Sequence, residues 1–208
     1  MFFSKSLAVV ATLALGAISS VVARPAPLET SNVLARCGCN SPAGIITGVT
    51  TSIQVYTGQL RGLAATEVTV DAVVPIVSEI TNVLVGATTK INGLLGKDAD
   101  IILADADGSA QVTAVVVAQL IAALCAEIFG AIGVIVNLGG VVGISAIISI
   151  FVSLGEVLGV FCGSCFSIFA GVGLDVKVAL SPLLGGDILA VVARLNLSVL
   201  QVALGLRL

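Results

Sequence analysis

The sequence predicts an all-α fold: a single-domain bundle of about five to six helices, an amphipathic N-terminal hairpin followed by apolar, Gly-rich helices. Three observations predict it. Apolar residues in the first half recur every three or four positions, the period of one helix face. The second half contains long runs without turn residues, and its Gly and Pro cluster at a few separated places. The chain beyond its N-terminal leader holds 185 residues, enough for one domain with a sizeable core.

The leader comes first. Residues 1–23 carry Lys5, an apolar run from Leu7 to Ile18, and Val21-Val22-Ala23 after a polar Ser19-Ser20 pair. This is the pattern of a secretory signal peptide, with cleavage expected after Ala23. The apolar run is shorter than the roughly 20 residues a membrane anchor needs. Residues 24–40 form a Cys-containing lead with Cys37-Gly38-Cys39, and residues 41–208 form the expected helical domain.

Within that domain, 41–96 reads as an amphipathic hairpin. Ser41 is placed to cap a helix that has Pro42 at its first position. Ile46, Val49, Ile53, Tyr56, Leu60 and Leu63 make its inward stripe. A second stripe runs Val73, Val77, Ile80, Leu84, Ala87, Ile91 and Leu94, with Asp71 as the expected cap and Gly96 as the stop. Residues 97–108 form an acidic loop with Asp98, Asp100, Asp105 and Asp107. It misses the calcium-loop pattern, because the third ligand and distal Glu are not at the required spacing.

The apolar part, 109–208, should hold helices over 109–137, 143–162, 165–180 and 187–205, separated by Gly139-Gly140, Cys162–Cys165, Ser181-Pro182 and Gly185-Gly186. β-branched residues keep a strand open as an alternative at 112–117 and 134–136. The 28 residues between Glu127 and Glu156 carry no charge. A break at Asn137 to Gly140 should divide them into arms of about 16 and 22 Å, too short for a hydrocarbon core of roughly 30 Å. Gly155, Gly159 and Gly163, four apart, suit close helix packing.

Composition narrows function. Charged residues make up 10% of the chain, against about a quarter in ordinary globular proteins, and the mean hydropathy is +1.20. Without Lys5 there remain eight basic and twelve acidic residues, and no basic run. Nucleic acid is therefore not an expected partner. There is no histidine, which removes Ser-His-Asp, Cys-His and His-metal arrangements. Glu127 and Glu156 are the only carboxylates in the two most apolar helices; neither is expected to act as one of a catalytic pair. No catalytic, cofactor or metal residues are assigned.

All five cysteines lie beyond the leader, in a chain bound for an oxidising compartment. Cys37, Cys39, Cys162 and Cys165 are the disulfide candidates, tying the lead to a turn between two helices, with Cys125 left as a buried free thiol. A four-thiolate zinc site fits the spacing loosely, but secretion argues against it. A redox role for Cys162-Gly163-Ser164-Cys165 lacks its βαβ context. Asn196-Leu197-Ser198 is a glycosylation sequon, placed by this reading inside an apolar helix, where modification is disfavoured.

The leader, the Cys37-Gly38-Cys39-Asn40 segment, the stripes over 53–63 and 73–95, the Gly-rich apolar second half and the Leu204-Gly205-Leu206 ending resemble small secreted hydrophobic proteins of mushroom-forming fungi, in particular non-hydrophobin structural proteins of hyphal walls. The eight-cysteine hydrophobin pattern is missing. The resemblance implies a secreted, non-enzymatic structural or surface-active protein of the cell wall or a hydrophobic–aqueous interface. Its partners would be a hydrophobic surface, wall or lipid, with self-association. Its working faces would span 112–174, and Val134→Asp is expected to abolish surface activity or folding. The alternatives are a soluble carrier of lipid or another small apolar ligand, and a membrane-inserting protein hinged at Gly139-Gly140.

Overall fold

A computed structural model describes residues 41–108, 110–138 and 144–206. The expected signal peptide, the lead with Cys37 and Cys39, and Gly139-Gly140 lie outside the described residues. Those that are described form eight α-helices and one short 3-10 turn, with no strand.

Helix α1 (Pro42–Gly62) starts where Ser41 accepts a hydrogen bond from the Gly44 amide at 3.1 Å. The same hydroxyl donates to the Asp105 carbonyl at 2.9 Å, so the helix start is fastened to the acidic loop. Ile46, Val49, Ile53 and Leu60 point inward as the stripe predicts, while Tyr56 and Leu63 are half-buried. Thr57 takes the inward position beside Tyr56 and is fully buried. Helix α2 (Val70–Asn92) is capped by Thr69, two residues before the expected Asp71. Its inward face is the predicted one from Val73 to Ile91, continued by Leu94. Both hairpin helices therefore follow the apolar period.

The acidic loop is more ordered than expected. It contains one helical turn, α3 (Ala99–Ile102), and closes through the Val112 amide to the Leu103 carbonyl at 2.6 Å and the Asp105 amide to the Ala110 carbonyl at 2.9 Å. The 112–117 segment is not a strand: α4 (Ala114–Asn137) begins there behind its Thr113 cap.

Two boundaries differ from the sequence reading. The helix expected over 143–162 and the first part of the one expected over 165–180 are one helix, α5 (Ile144–Gly171), running straight through Cys162 and Cys165. The turn to which these cysteines were assigned does not exist. Phe161, Cys162, Cys165 and Phe166 are all inward at helical spacing, and that continuous buried face outweighs the local weakness of Gly163-Ser164. After α6 (Val176–Leu180) and the 3-10 turn (Ser181–Leu183), the expected last helix is two: α7 (Gly186–Arg194) and α8 (Ser198–Leu204).

Four long helices make the bundle, and short ones close it. Helix α1 packs on α2 and α4, and α2 packs on α5, whereas α4 and α5 touch each other directly at few points. The space beside them is taken by α6 and α7, which lie on α4, and by α8, which lies on α5. Phe129, Phe151, Phe161 and Phe169 fill the centre.

Candidate functional site

The described residues hold few polar constellations, and each has a definite place. The largest joins α1 to α4. Arg61 Nη1 lies 2.8 Å from Glu127 Oε1, Nη2 donates to the Glu127 carbonyl at 2.9 Å, and the buried Thr57 hydroxyl donates to the same carboxylate oxygen. Glu127 is thus turned to α1, while Glu156, on α5, is exposed beside the turn between α7 and α8. The two carboxylates are not brought together. Thr57 and Arg61 were missed in the sequence because an i, i+4 pair at the edge of an apolar stripe carries no sign of its partner on a distant helix.

The cysteines of α4 and α5 meet inside the core. Cys125, Cys162 and Cys165 are fully buried thiols. The neighbouring Cys125 thiol raises the titration of Cys162 through a hydrogen bond, with burial adding to the shift. Burial likewise pushes Cys165 up. Thiols held protonated in this way are poor nucleophiles and poor metal ligands. Among the described residues, no three His, Cys, Asp or Glu side chains converge to hold a metal.

The glycines of α5 have separate roles. A Cβ on Gly155 would run into the Leu197 side chain at 2.7 Å, and one on Gly159 would stand 3.3 Å from the Leu200 backbone. Helix α8 therefore crosses α5 in contact with its backbone. Gly163 faces open space.

The outer surface of α5 is the most distinctive feature. Its solvent edge runs Ser145, Ser149, Ser153, Glu156, Val160 and Ser167, with a single charge in 28 residues. The hydroxyls of Ser149, Ser153 and Ser167 donate to carbonyls one turn back, at 3.1, 3.3 and 2.9 Å. That satisfies their polarity within the helix and leaves an edge that asks little of water. The outer edge of α4 carries no charge, with Ala123, Ala126, Gly130 and Val134.

Because α4 and α5 extend past Glu127 and Glu156, they measure about 36 and 42 Å over 24 and 28 residues. The expectation that each arm falls short of a hydrocarbon core is therefore corrected. Helices α2, α4 and α5 are each long and apolar enough to cross a membrane. Two hollows lie on the surface of the described residues. One, of about 420 Å³, is open and lies between Phe166 and Lys177, whose ammonium sits 5.5 Å from the Phe166 ring centre; the other, by Glu156 and Leu197, has room for about 20 Å³.

Comparison of the chain with protein-family models, with curated proteins and with solved structures finds no match.

Proposed function

We propose that this is a secreted, non-enzymatic structural or surface-active protein that works at a cell wall or a hydrophobic–aqueous interface. The observation that carries the reading is the incomplete burial of its most apolar helices: only 50% of the apolar stretch of α4 and 39% of that of α5 lie inside the bundle. Apolar area left in water is worth roughly 25 cal/mol per Å² on transfer to an apolar phase. For α4, which exposes Val115, Val116 and Val134, adsorption therefore has a driving force before any rearrangement.

The packing suggests how more area is released. Helices α1 and α4 form one layer and α2 and α5 the other, joined along the α1–α2 hairpin; the α4–α5 seam is sparser than the α1–α4, α2–α5 and α1–α2 seams. Opening at that seam turns the buried Phe and Ile faces to the apolar phase and leaves the serine edge of α5 in water. The carrier reading draws little support from these two hollows, since one is open to solvent and the other has space for about one water.

The deciding experiment partitions the signal-free protein among buffer, sealed lipid vesicles and an air–water interface, with helicity recorded in each. Adsorption that lowers surface tension, keeps the helices and leaves vesicles sealed is the expected result. A monomer that stays in buffer without changing surface tension overturns the proposal. Vesicle leakage replaces it with the membrane-inserting reading.

A further inference from the structure

We infer that Asn196 is an N-glycosylation site, and that its glycan marks the water-facing side of the molecule. The inference rests on the secretory reading of residues 1–23. The sequon Asn196-Leu197-Ser198 does not lie within a helix: α7 ends at Arg194 and α8 begins at Ser198, so Asn196 occupies the short turn between them. Asn196 and Ser198 are both exposed, and the Asn196 side chain makes no hydrogen bond among the described residues. Leu197 between them is buried, docked over Gly155. The acceptor amide therefore projects from a turn pinned at its middle residue.

The turn by itself accounts for Asn196 but not for Ser198. With φ at 51°, Asn196 holds the left-handed conformation that follows many helix ends, and asparagine is the non-glycine residue that adopts it at least cost. Ser198, by contrast, sits one position too late to cap α8: the cap is Leu197, and no side chain serves there. A hydroxyl two residues after an exposed asparagine is what the transfer reaction recognises. In that reaction, a polyprenyl diphosphate-linked oligosaccharide is the donor. A bond forms between Asn196 Nδ2 and the first sugar carbon as the carbon–oxygen bond to diphosphate breaks. The polyprenyl diphosphate leaves, and the amide gives up one proton.

The position gives the glycan a consequence. Asn196 and Ser198 border the same small recess as Glu156, the only charge on α5. An oligosaccharide there adds a large polar group beside the single charge of that helix. It keeps the outer edge of α5 in water when the inner faces meet an apolar phase.

The test is synthesis of the full chain with sealed microsomal vesicles, followed by protease treatment. The protected chain should gain the mass of one oligosaccharide, lose it to an amidase that cleaves the asparagine–sugar bond, keep it in Ser198→Thr and lack it in Ser198→Ala. A protected wild-type chain of unmodified mass overturns the assignment while leaving the secretory reading intact. A chain that remains open to protease overturns both. Ser198→Thr guards against misfolding as the explanation, since it preserves the sequon and changes only an exposed side chain.

Discussion

Arg61 of α1 holds Glu127 of α4 at two points, its Nη1 2.8 Å from the carboxylate and its Nη2 2.9 Å from the main-chain carbonyl of the same residue. Gly130, one turn further along α4, makes room for the guanidinium: a Cβ there would stand 3.3 Å from Nη2. The hairpin thereby neutralises the only charge on α4 and fixes that helix against α1.

Removing Arg61 should loosen this layer modestly. Its side chain is 38% exposed, so solvent screens the pair, and Arg61→Ala should cost about 1 kcal/mol. Arg61→Lys should retain part of that, because an ammonium cannot make both contacts in the guanidinium geometry. Urea unfolding followed by helicity measures both variants. An unchanged midpoint for Arg61→Ala would show that the contact contributes nothing.

Two glycines of α5 should respond to alanine with opposite sign. Gly163 faces open space, so Gly163→Ala gains the helix preference of alanine, up to about 1 kcal/mol. At Gly159 the added methyl stands 3.3 Å from the Leu200 backbone and must displace α8. Thermal unfolding should show the first variant stabilised and the second destabilised, with α8 of Gly159→Ala cut sooner by protease.

The buried thiols predict alkaline sensitivity. In the unfolded chain, thiols ionise around pH 9.0, while in the fold Cys162 and Cys165 hold their protons to higher pH. Below pH 9 both states are protonated and the fold loses nothing. Above it, the unfolded state releases protons that the fold retains, so stability falls with rising pH by up to about 1.4 kcal/mol per unit for each thiol. Cys162→Ala and Cys165→Ala should each flatten that decline in urea titrations between pH 8 and 11. Under native conditions at pH 7, neither thiol should react with a maleimide until denaturant is added.

Neighbouring positions on α4 should separate surface from core. Val134 is 39% exposed and Ile135 fully buried. Of the two outcomes expected of Val134→Asp, loss of surface activity or loss of folding, this exposure favours the first: the variant should fold, and any loss should appear in adsorption. Ile135→Asp places a carboxylate in the core without a partner and should unfold the chain, a cost of several kcal/mol. Circular dichroism and surface tension on the same samples distinguish the two.

The hairpin was legible because its information is local. Six residues from Val73 to Ile91 share one face of α2 through spacing alone, and all six are buried, as is Leu94 just beyond the helix. The C-terminal turn was not legible for the converse reason. Leu195, Leu197 and Leu200 are all buried, yet positions two apart lie on opposite sides of a helix. One continuous helix would send Leu195 and Leu197 to opposite sides, whereas the turn at Asn196 lets Leu197 dock over Gly155 of α5. That conflict arises only once α5, with Gly155 and Gly159, is there to receive the leucines.

By itself, the sequence determined the all-helical class, the inward faces of α1 and α2 and the scarcity of charge, since each follows from residue type and a period of 3.6. The tertiary structure alone decided that α5 runs unbroken through Cys162 and Cys165, that Arg61 neutralises Glu127 and that Asn196 is exposed. Each of these depends on which two helix faces come into contact, and residue spacing along a single helix carries no information about the face opposite it.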